Sequence, residues 1–136
     1  MRYLVSVKQV PDTASVTVDD NGSLVRTGVP SILNPYCEFA LTRVLSMKGD
    51  GDSVDVVSMG PPQTESALRR CLELGADRAF LLSDTAFAGS DVWATSRVIT
   101  SFIMRFGCDY DLLIFGRQAI DGETGQVPYE VAQMLD

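Results

Sequence analysis

The sequence contains no histidine, and that absence removes several chemistries at once. Ser-His-Asp and Cys-His nucleophilic catalysis cannot be assembled from this chain alone, and a His-ligated zinc or iron site is ruled out. Cysteine is scarce too. Cys37, Cys71 and Cys108 are odd in number and widely spaced, with no CxxC pair. Neither a disulfide framework nor a Cys-rich metal site is expected, which fits a reducing cytoplasm. Cys71 and Cys108 stand among apolar residues and read as small core residues. Positive charge is short, with 11 Lys and Arg against 18 Asp and Glu and a net charge of −7. Phosphates need Lys and Arg opposite them, so nucleic acid is excluded as a partner. Adhesion to an anionic membrane surface is unfavourable for the same reason. Long apolar runs are also missing. The first one, Tyr3 to Val7, is cut by Lys8 and is too short for a signal-peptide core. No run of about 18 apolar residues exists, so no membrane span is expected.

What is present suits one domain over residues 1–136, because 46% of the 136 residues are apolar and can form a core. Tyr3 to Val7 reads as a buried strand. Residues 15–27 alternate around Asp19-Asp20-Asn21-Gly22 and predict a β-hairpin outside the main sheet. Asn34 as N-cap and Pro35 in the first turn open a helix, with Phe39, Ala40, Val44, Leu45 and Met47 on its apolar face. Ser53 to Ser58 is a second strand. A helix follows Gly60-Pro61-Pro62, with Ala67, Leu68, Cys71, Leu72 and Leu74 as its buried stripe and Gly75 as its stop. Ala79 to Leu82 is a third strand. A helix from about Ser90 to Gly107 carries Val98, Ile99, Phe102, Ile103 and Phe106 at helical spacing. Leu112 to Phe115 is a fourth strand, and a last helix runs from about Gly125 to Leu135. The order βαβαβαβα predicts an α/β fold, a parallel doubly wound sheet with helices on both faces. The chain stops directly after a helix, where such a domain returns to a further strand, so truncation at the C-terminus is expected.

A parallel sheet of this kind binds ligands at the carboxyl ends of its strands. Three such ends carry polar or glycine-rich segments: Lys8-Gln9, Met59-Gly60-Pro61-Pro62, and Gly116 to Gln126. The third places three glycines and several hydrogen-bonding side chains between a strand and a helix. Glycine lets a ligand approach the backbone, and free N–H groups at a helix start attract phosphate. The same segment also reads as an ordinary polar crossover with Asp121 as a cap. Asp121 and Glu123 have to face away from any phosphate. Met59 is equally at home in a core, Lys8 equally a solvated strand end, and Asn34 a plain N-cap. Neither GxGxxG nor GxxxxGK[ST] occurs.

Several segments, taken in order, resemble electron transfer flavoprotein beta (small) subunits. Val7-Lys8-Gln9-Val10-Pro11-Asp12-Thr13 is similar to their opening, and Gly28 to Pro35 to the lead into their first helix. Ser58-Met59-Gly60-Pro61-Pro62, Leu74 to Ala79, Phe87-Ala88-Gly89-Ser90-Asp91 and Gly116 to Val127 match later landmarks. The resemblance implies an adenine-nucleotide-hydrolase-like (Rossmann-like) three-layer sandwich without hydrolase activity. It implies pairing with an alpha subunit that carries the redox-active FAD, and contact with a dehydrogenase redox partner. The beta subunit holds structural AMP in the ordinary branch. In the electron-bifurcating branch it holds a second FAD that accepts hydride from NADH. The wording of Gly28 to Pro35, Met59 to Pro62 and Gly116 to Asp121 is closer to the bifurcating branch.

By position, the resemblance puts Ser6 and Lys8 at the first strand end of a nucleotide site. Asn34, Pro35 and Cys37 would flank the adenosine, and Met59 and Gly60 would form a wall. Gln118, Asp121, Thr124, Gly125, Gln126 and Val127 would hold ribose and phosphate, and Thr95 would face an isoalloxazine. No catalytic residue and no metal ligand is implied. Two positions depart from the bifurcating pattern: Val92 stands where Thr is usual, and Tyr36-Cys37 is closer to AMP-binding relatives. Family members also continue for about as long again, with segments that reach around the alpha subunit. A second function class is a small nucleotide-binding stress or regulatory protein of the same fold, for which Gly122 to Gly125 is a partial phosphate loop. A third, an ATP-using ligase-type enzyme, needs a glycine-rich loop after the first strand, and Val7 to Thr13 has no glycine.

Overall fold

A computed structural model describes residues 1–15, 17–25, 28–106, 109–122 and 124–136. The chain runs β1 (Arg2–Ser6), β2 (Gln9–Pro11), β3 (Thr17–Val18), β4 (Leu24–Val25), β5 (Ser31–Leu33), α1 (Pro35–Met47) and β6 (Ser53–Met59). It continues through α2 (Glu65–Leu74), β7 (Arg78–Leu82), α3 (Val92–Phe106), β8 (Leu112–Phe115) and α4 (Val127–Leu135). Single 3-10 turns occupy Thr13–Ser15, Pro62–Thr64 and Thr85–Phe87.

Four strands form one parallel sheet in the order β7-β6-β1-β8. The pleat sends successive side chains to opposite faces, which divides the core in two. Tyr3, Val5, Val54 and Val56 pack with Cys37, Leu41 and Val44 of α1 and Ala67, Leu68 and Cys71 of α2. Leu4 and Val57 pack with Ile99, Phe102 and Ile103 of α3 and Val131 of α4. The result is three layers, as expected. Val54, Val56 and Val57 are fully buried, and each such side chain stabilises the fold by about 1.5–3 kcal/mol. The first two helices cover one face and the last two the other. The direction of winding therefore reverses between β1 and β8.

The hairpin is outside this sheet, as its turn residues predict. β3 and β4 pair antiparallel, Thr17 with Val25 and Val18 with Leu24. Asp19 Oδ1 accepts from the N–H groups of Asn21 and Ser23 at 2.9 and 2.8 Å, which fixes the turn. Val16, Arg26, Gly107, Cys108 and Glu123 carried expectations that lie outside the described residues. A second small sheet was not foreseen. In it β2 pairs antiparallel with β5, Gln9 opposite Leu33, so the segment after β1 is clamped to the lead into α1.

Some expected core positions are turned outward. The buried residues of α1 are Cys37, Leu41 and Val44, at i, i+4 and i+7, so the helix presents Phe39 and Met47 to solvent. Leu72 of α2 and Phe106 of α3 are likewise exposed. In each helix the stripe is narrower than the apolar content of the sequence suggests.

Polar residues also enter the core. Asp55 lies mid-strand in β6 with no exposed surface. Its carboxylate accepts from Arg78 Nη2 at 2.7 Å and from the Tyr110 hydroxyl at 2.6 Å. Burial, followed by the bond to Asp55, pushes the Tyr110 hydroxyl up to about 12.

Candidate functional site

The point between β1 and β8 is where an open parallel sheet leaves a crevice at its carboxyl edge, because the connections leave in opposite directions. A cavity of about 1090 Å³ lies there. It starts at the ends of β1 and β8 and passes Met59, Gly60 and Pro61 beyond β6. It reaches Ser83 to Val92 beyond β7.

Ser6, Lys8, Asn34, Cys37, Met59, Gly60, Thr95, Gln118, Thr124, Gly125, Gln126 and Val127 all line it. They come from five separate segments of the chain. Pro35 lies instead in a neighbouring groove with Ile32, Phe39 and Ala67. Asp121 is not a lining residue, but it touches one: Lys8 Nζ donates to Asp121 Oδ1 at 2.8 Å. That pair answers the difficulty posed by the carboxylate, because Asp121 is turned onto a cation rather than toward the cavity's centre.

Two backbone features hold the Gly116–Gly125 stretch. Gly116 lies against the start of α1, where a Cβ would come within 2.9 Å of Cys37 N and of the Tyr36 carbonyl carbon. Only glycine allows that approach. Gly125 has φ +60°, and a Cβ there would lie 3.1 Å from the Arg117 carbonyl oxygen. The left-handed backbone at Gly125 also explains why α4 begins later than expected, at Val127, with Gln126 in the N-cap position and proline in the first turn. The N–H groups of Thr124, Gly125 and Gln126 therefore belong to the lead-in, and Pro128 contributes none.

Asn34 sits at the N-cap of α1 but makes no side-chain cap bond. It is 1% exposed. Its Nδ2 donates to the Gln118 carbonyl at 2.8 Å and to Cys37 Sγ at 3.2 Å, and its Oδ1 accepts from the Ile120 N–H at 3.2 Å. Burial pushes the Cys37 thiol above its ordinary value, with Asn34, the backbone and Lys8 acting against that shift. The thiol is neutral at physiological pH and contributes a small apolar surface, not a nucleophile.

The far wall, beyond β7, is the part that sequence reasoning largely missed. Thr95 was expected there and Val92 had been singled out as a departure from the bifurcating pattern, but Asp84, Phe87 and Ser90 line the cavity with them. The acidic pair in this wall is engaged locally. Asp84 Oδ1 accepts from the Ala86 N–H at 2.9 Å, and Asp91 Oδ1 accepts from the Ala94 N–H at 2.8 Å as the cap of α3. The signal was available in Gly89-Ser90-Asp91, a turn followed by an N-cap. The lining as a whole combines apolar faces (Met59, Phe87, Ile99, Phe115) with many hydroxyl and amide side chains, two cations, Lys8 and Arg117, and the two carboxylates Asp84 and Asp91. That mixture suits a ligand with a flat apolar body and an anionic segment.

The family model of the electron transfer flavoprotein domain matches residues 21–136. The caffeyl-CoA reductase-Etf complex subunit CarD of Acetobacterium woodii is 51% identical over 138 residues, which covers 99% of this chain and 52% of that protein. The electron transfer flavoprotein subunit beta of Clostridium acetobutylicum is 50% identical over 137 residues, with 99% of this chain and 52% of that protein covered. Protein FixA of Azotobacter vinelandii is 47% identical over 140 residues, covering 100% of this chain and 50% of that protein. The chain spans about half the length of the curated relatives it matches.

Proposed function

Because this chain belongs to the electron transfer flavoprotein domain family, we propose that it is the nucleotide-holding part of a beta subunit, which takes FAD or AMP into the crevice and passes electrons together with an alpha subunit. The observation that carries this reading is the crevice itself. It lies at the reversal point of the sheet and gathers polar and apolar residues from the ends of all four core strands. A bound flavin would supply the redox chemistry, with hydride accepted from NADH and electrons passed toward a dehydrogenase partner, whereas AMP would be structural.

The chain's own residues bind and orient. Arg117 supplies positive charge at the β1 and β8 end, together with Lys8, whose charge is shared with Asp121. Gly116 and Gly125 bring backbone, not side chains, to the cavity wall. Met59, Phe87 and Ile99 exclude water from a ring. Thr95 and Ser90 bring hydroxyls to the far wall. The extent of the cavity favours FAD over AMP. At about 1090 Å³ it lies just above the range of roughly 300–1,000 Å³ for small-molecule sites. It also continues past the end of β7 to Val92. Val92 brings an apolar side chain to this end, so ring packing there relies on shape more than on hydrogen bonds.

The test is a count of flavin and adenine nucleotide in the full-length protein purified with its alpha partner, by absorbance and by extraction. The FAD reading expects two flavins per heterodimer. One flavin with one AMP supports the structural-nucleotide form. A complex with no adenine nucleotide that binds neither AMP nor FAD in calorimetry overturns the proposal.

A further inference from the structure

We infer that Asn34 is a positioning residue of the crevice, holding the 116–126 loop in place against a bound nucleotide. The inference rests on the reading of the crevice as a nucleotide site and adds the means by which one wall of that site is held. A side-chain amide offers two N–H donors and one carbonyl acceptor. In Asn34 both donors are engaged, at Gln118 O and Cys37 Sγ, and the acceptor is engaged by the Ile120 N–H. The orientation of the amide is chemically fixed. Gln118 presents a carbonyl and needs a donor, whereas Ile120 presents an N–H and needs an acceptor. Exchanging O and N would set like against like at both ends.

The backbone of the same residue completes the strap. Its N–H donates to Lys8 O at 2.8 Å, and its carbonyl accepts from Cys37 N at 2.9 Å and Glu38 N at 3.0 Å. One buried residue thus joins the turn after β1, the start of α1 and the loop after β8. An asparagine at an N-cap ordinarily turns its side chain back onto the first helical turn. Here that bond is absent and the side chain reaches across the crevice floor. Gln118 lines the cavity, so any displacement of its backbone moves a wall. The amide's capacity for hydrogen bonding is nearly exhausted by protein partners, which leaves little with which to recognise a ligand.

The experiment uses the full-length protein with its alpha partner and two substitutions. Asn34→Asp keeps the size and the acceptor but sets a carboxylate against the Gln118 carbonyl. Asn34→Ser is too short to reach the loop, yet serine is a good N-cap, so α1 is preserved while the strap is cut. Near pH 8 both variants are expected to bind FAD and AMP about tenfold more weakly or worse, on the scale of a lost buried hydrogen bond. Amide exchange at residues 117–122 of the nucleotide-free protein is expected to be faster than in the parent. Lowering the pH to about 5.5 protonates a carboxyl held in so buried a place. That restores a donor and should recover FAD affinity in Asn34→Asp but not in Asn34→Ser. The titratable neighbours, Cys37 and the Lys8–Asp121 pair, are common to parent and variants, so the parent at each pH is the control. Parental affinity in Asn34→Ser overturns the inference. So does weakened binding with unchanged loop exchange, which would make Asn34 a direct contact. A parent that binds neither nucleotide overturns the underlying reading instead, and loop exchange alone then decides whether the strap exists.

Discussion

At the scale of single residues, the site depends on places where a side chain must be absent or neutral. Gly116 is the sharpest case. Its approach to the α1 backbone leaves no room for a methyl group, since the atoms it would meet at 2.9 Å are main-chain atoms of Tyr36 and Cys37. Gly116→Ala is expected to destabilise the protein by about 1–3 kcal/mol and to weaken nucleotide binding with it. Gly122→Ala, where a Cβ meets nothing within 4 Å, should change the melting temperature little. Equal melting of the two variants would refute the close approach. Cys71 is the second case. Burial pushes its thiol from 9.0 up to about 12, and the raised value means that the folded state holds the proton more tightly than the unfolded one. This stabilisation is fully present below pH 9 and is lost as pH rises toward 12. Tyr110, raised from 10.0 to about 12, adds a loss that starts later. Cys37, whose thiol is also pushed up by burial, starts its loss in the same range, so thermal melts should show Cys71→Ala with a shallower decline above pH 9 than the parent. A decline as steep as the parent's would contradict the assignment.

At the scale of elements, the sheet carries a charge that its pattern does not advertise. Asp55 sits where β6 would be expected to place a Val, and it is held by Arg78 of the neighbouring strand β7 and by Tyr110 before β8. A buried carboxylate without partners is costly, while an exposed guanidinium is readily solvated. The Arg78 side chain is 56% exposed and that of Asp55 is 0%, so the two partners are not equivalent. Asp55→Asn keeps a hydrogen-bonding group in place and is expected to cost about 1–3 kcal/mol. Arg78→Met strands the carboxylate and should lower the denaturation midpoint further. If urea melts rank the two in the opposite order, the asymmetry argued here is wrong.

At the scale of the whole molecule, much apolar surface faces outward. Phe39, Trp93, Met104, Phe106 and Tyr129 are each more than half exposed, and β7 and β8 form the two edges of the sheet. Exposed apolar side chains and unpaired strand edges favour association. The 136-residue chain by itself is expected to sediment as concentration-dependent oligomers, and a compact monomer at all concentrations would refute this. The same chain spans about half of its relatives' length and stands without an alpha subunit. It is expected to show no steady NADH oxidation above a free-flavin control, and sustained turnover would contradict that expectation.

The sequence dictates the alternation of strands and helices, because apolar runs of four to seven residues separated by helical stripes admit little else. It determined the hairpin through Asp19 to Gly22, and the three strand ends that meet at the crevice. It also excluded histidine chemistry from these 136 residues. Local pattern is blind to pairing partners, however. The β2–β5 clamp, the Asp55–Arg78 pair and the Lys8–Asp121 pair join residues far apart in the chain, and nothing in their neighbourhoods announces them. Direction is likewise a tertiary matter. Phe39 and Leu41 are both apolar and both on α1, and only the sheet beneath decides that Leu41 is buried and Phe39 is not. Asn34 shows the division most plainly. Its place before Pro35 marks a helix start, and the sequence alone makes it a cap. The fold brings Gln118 and Ile120 within reach, and the amide is drawn to the loop because two buried backbone groups there need the donor and the acceptor that it carries.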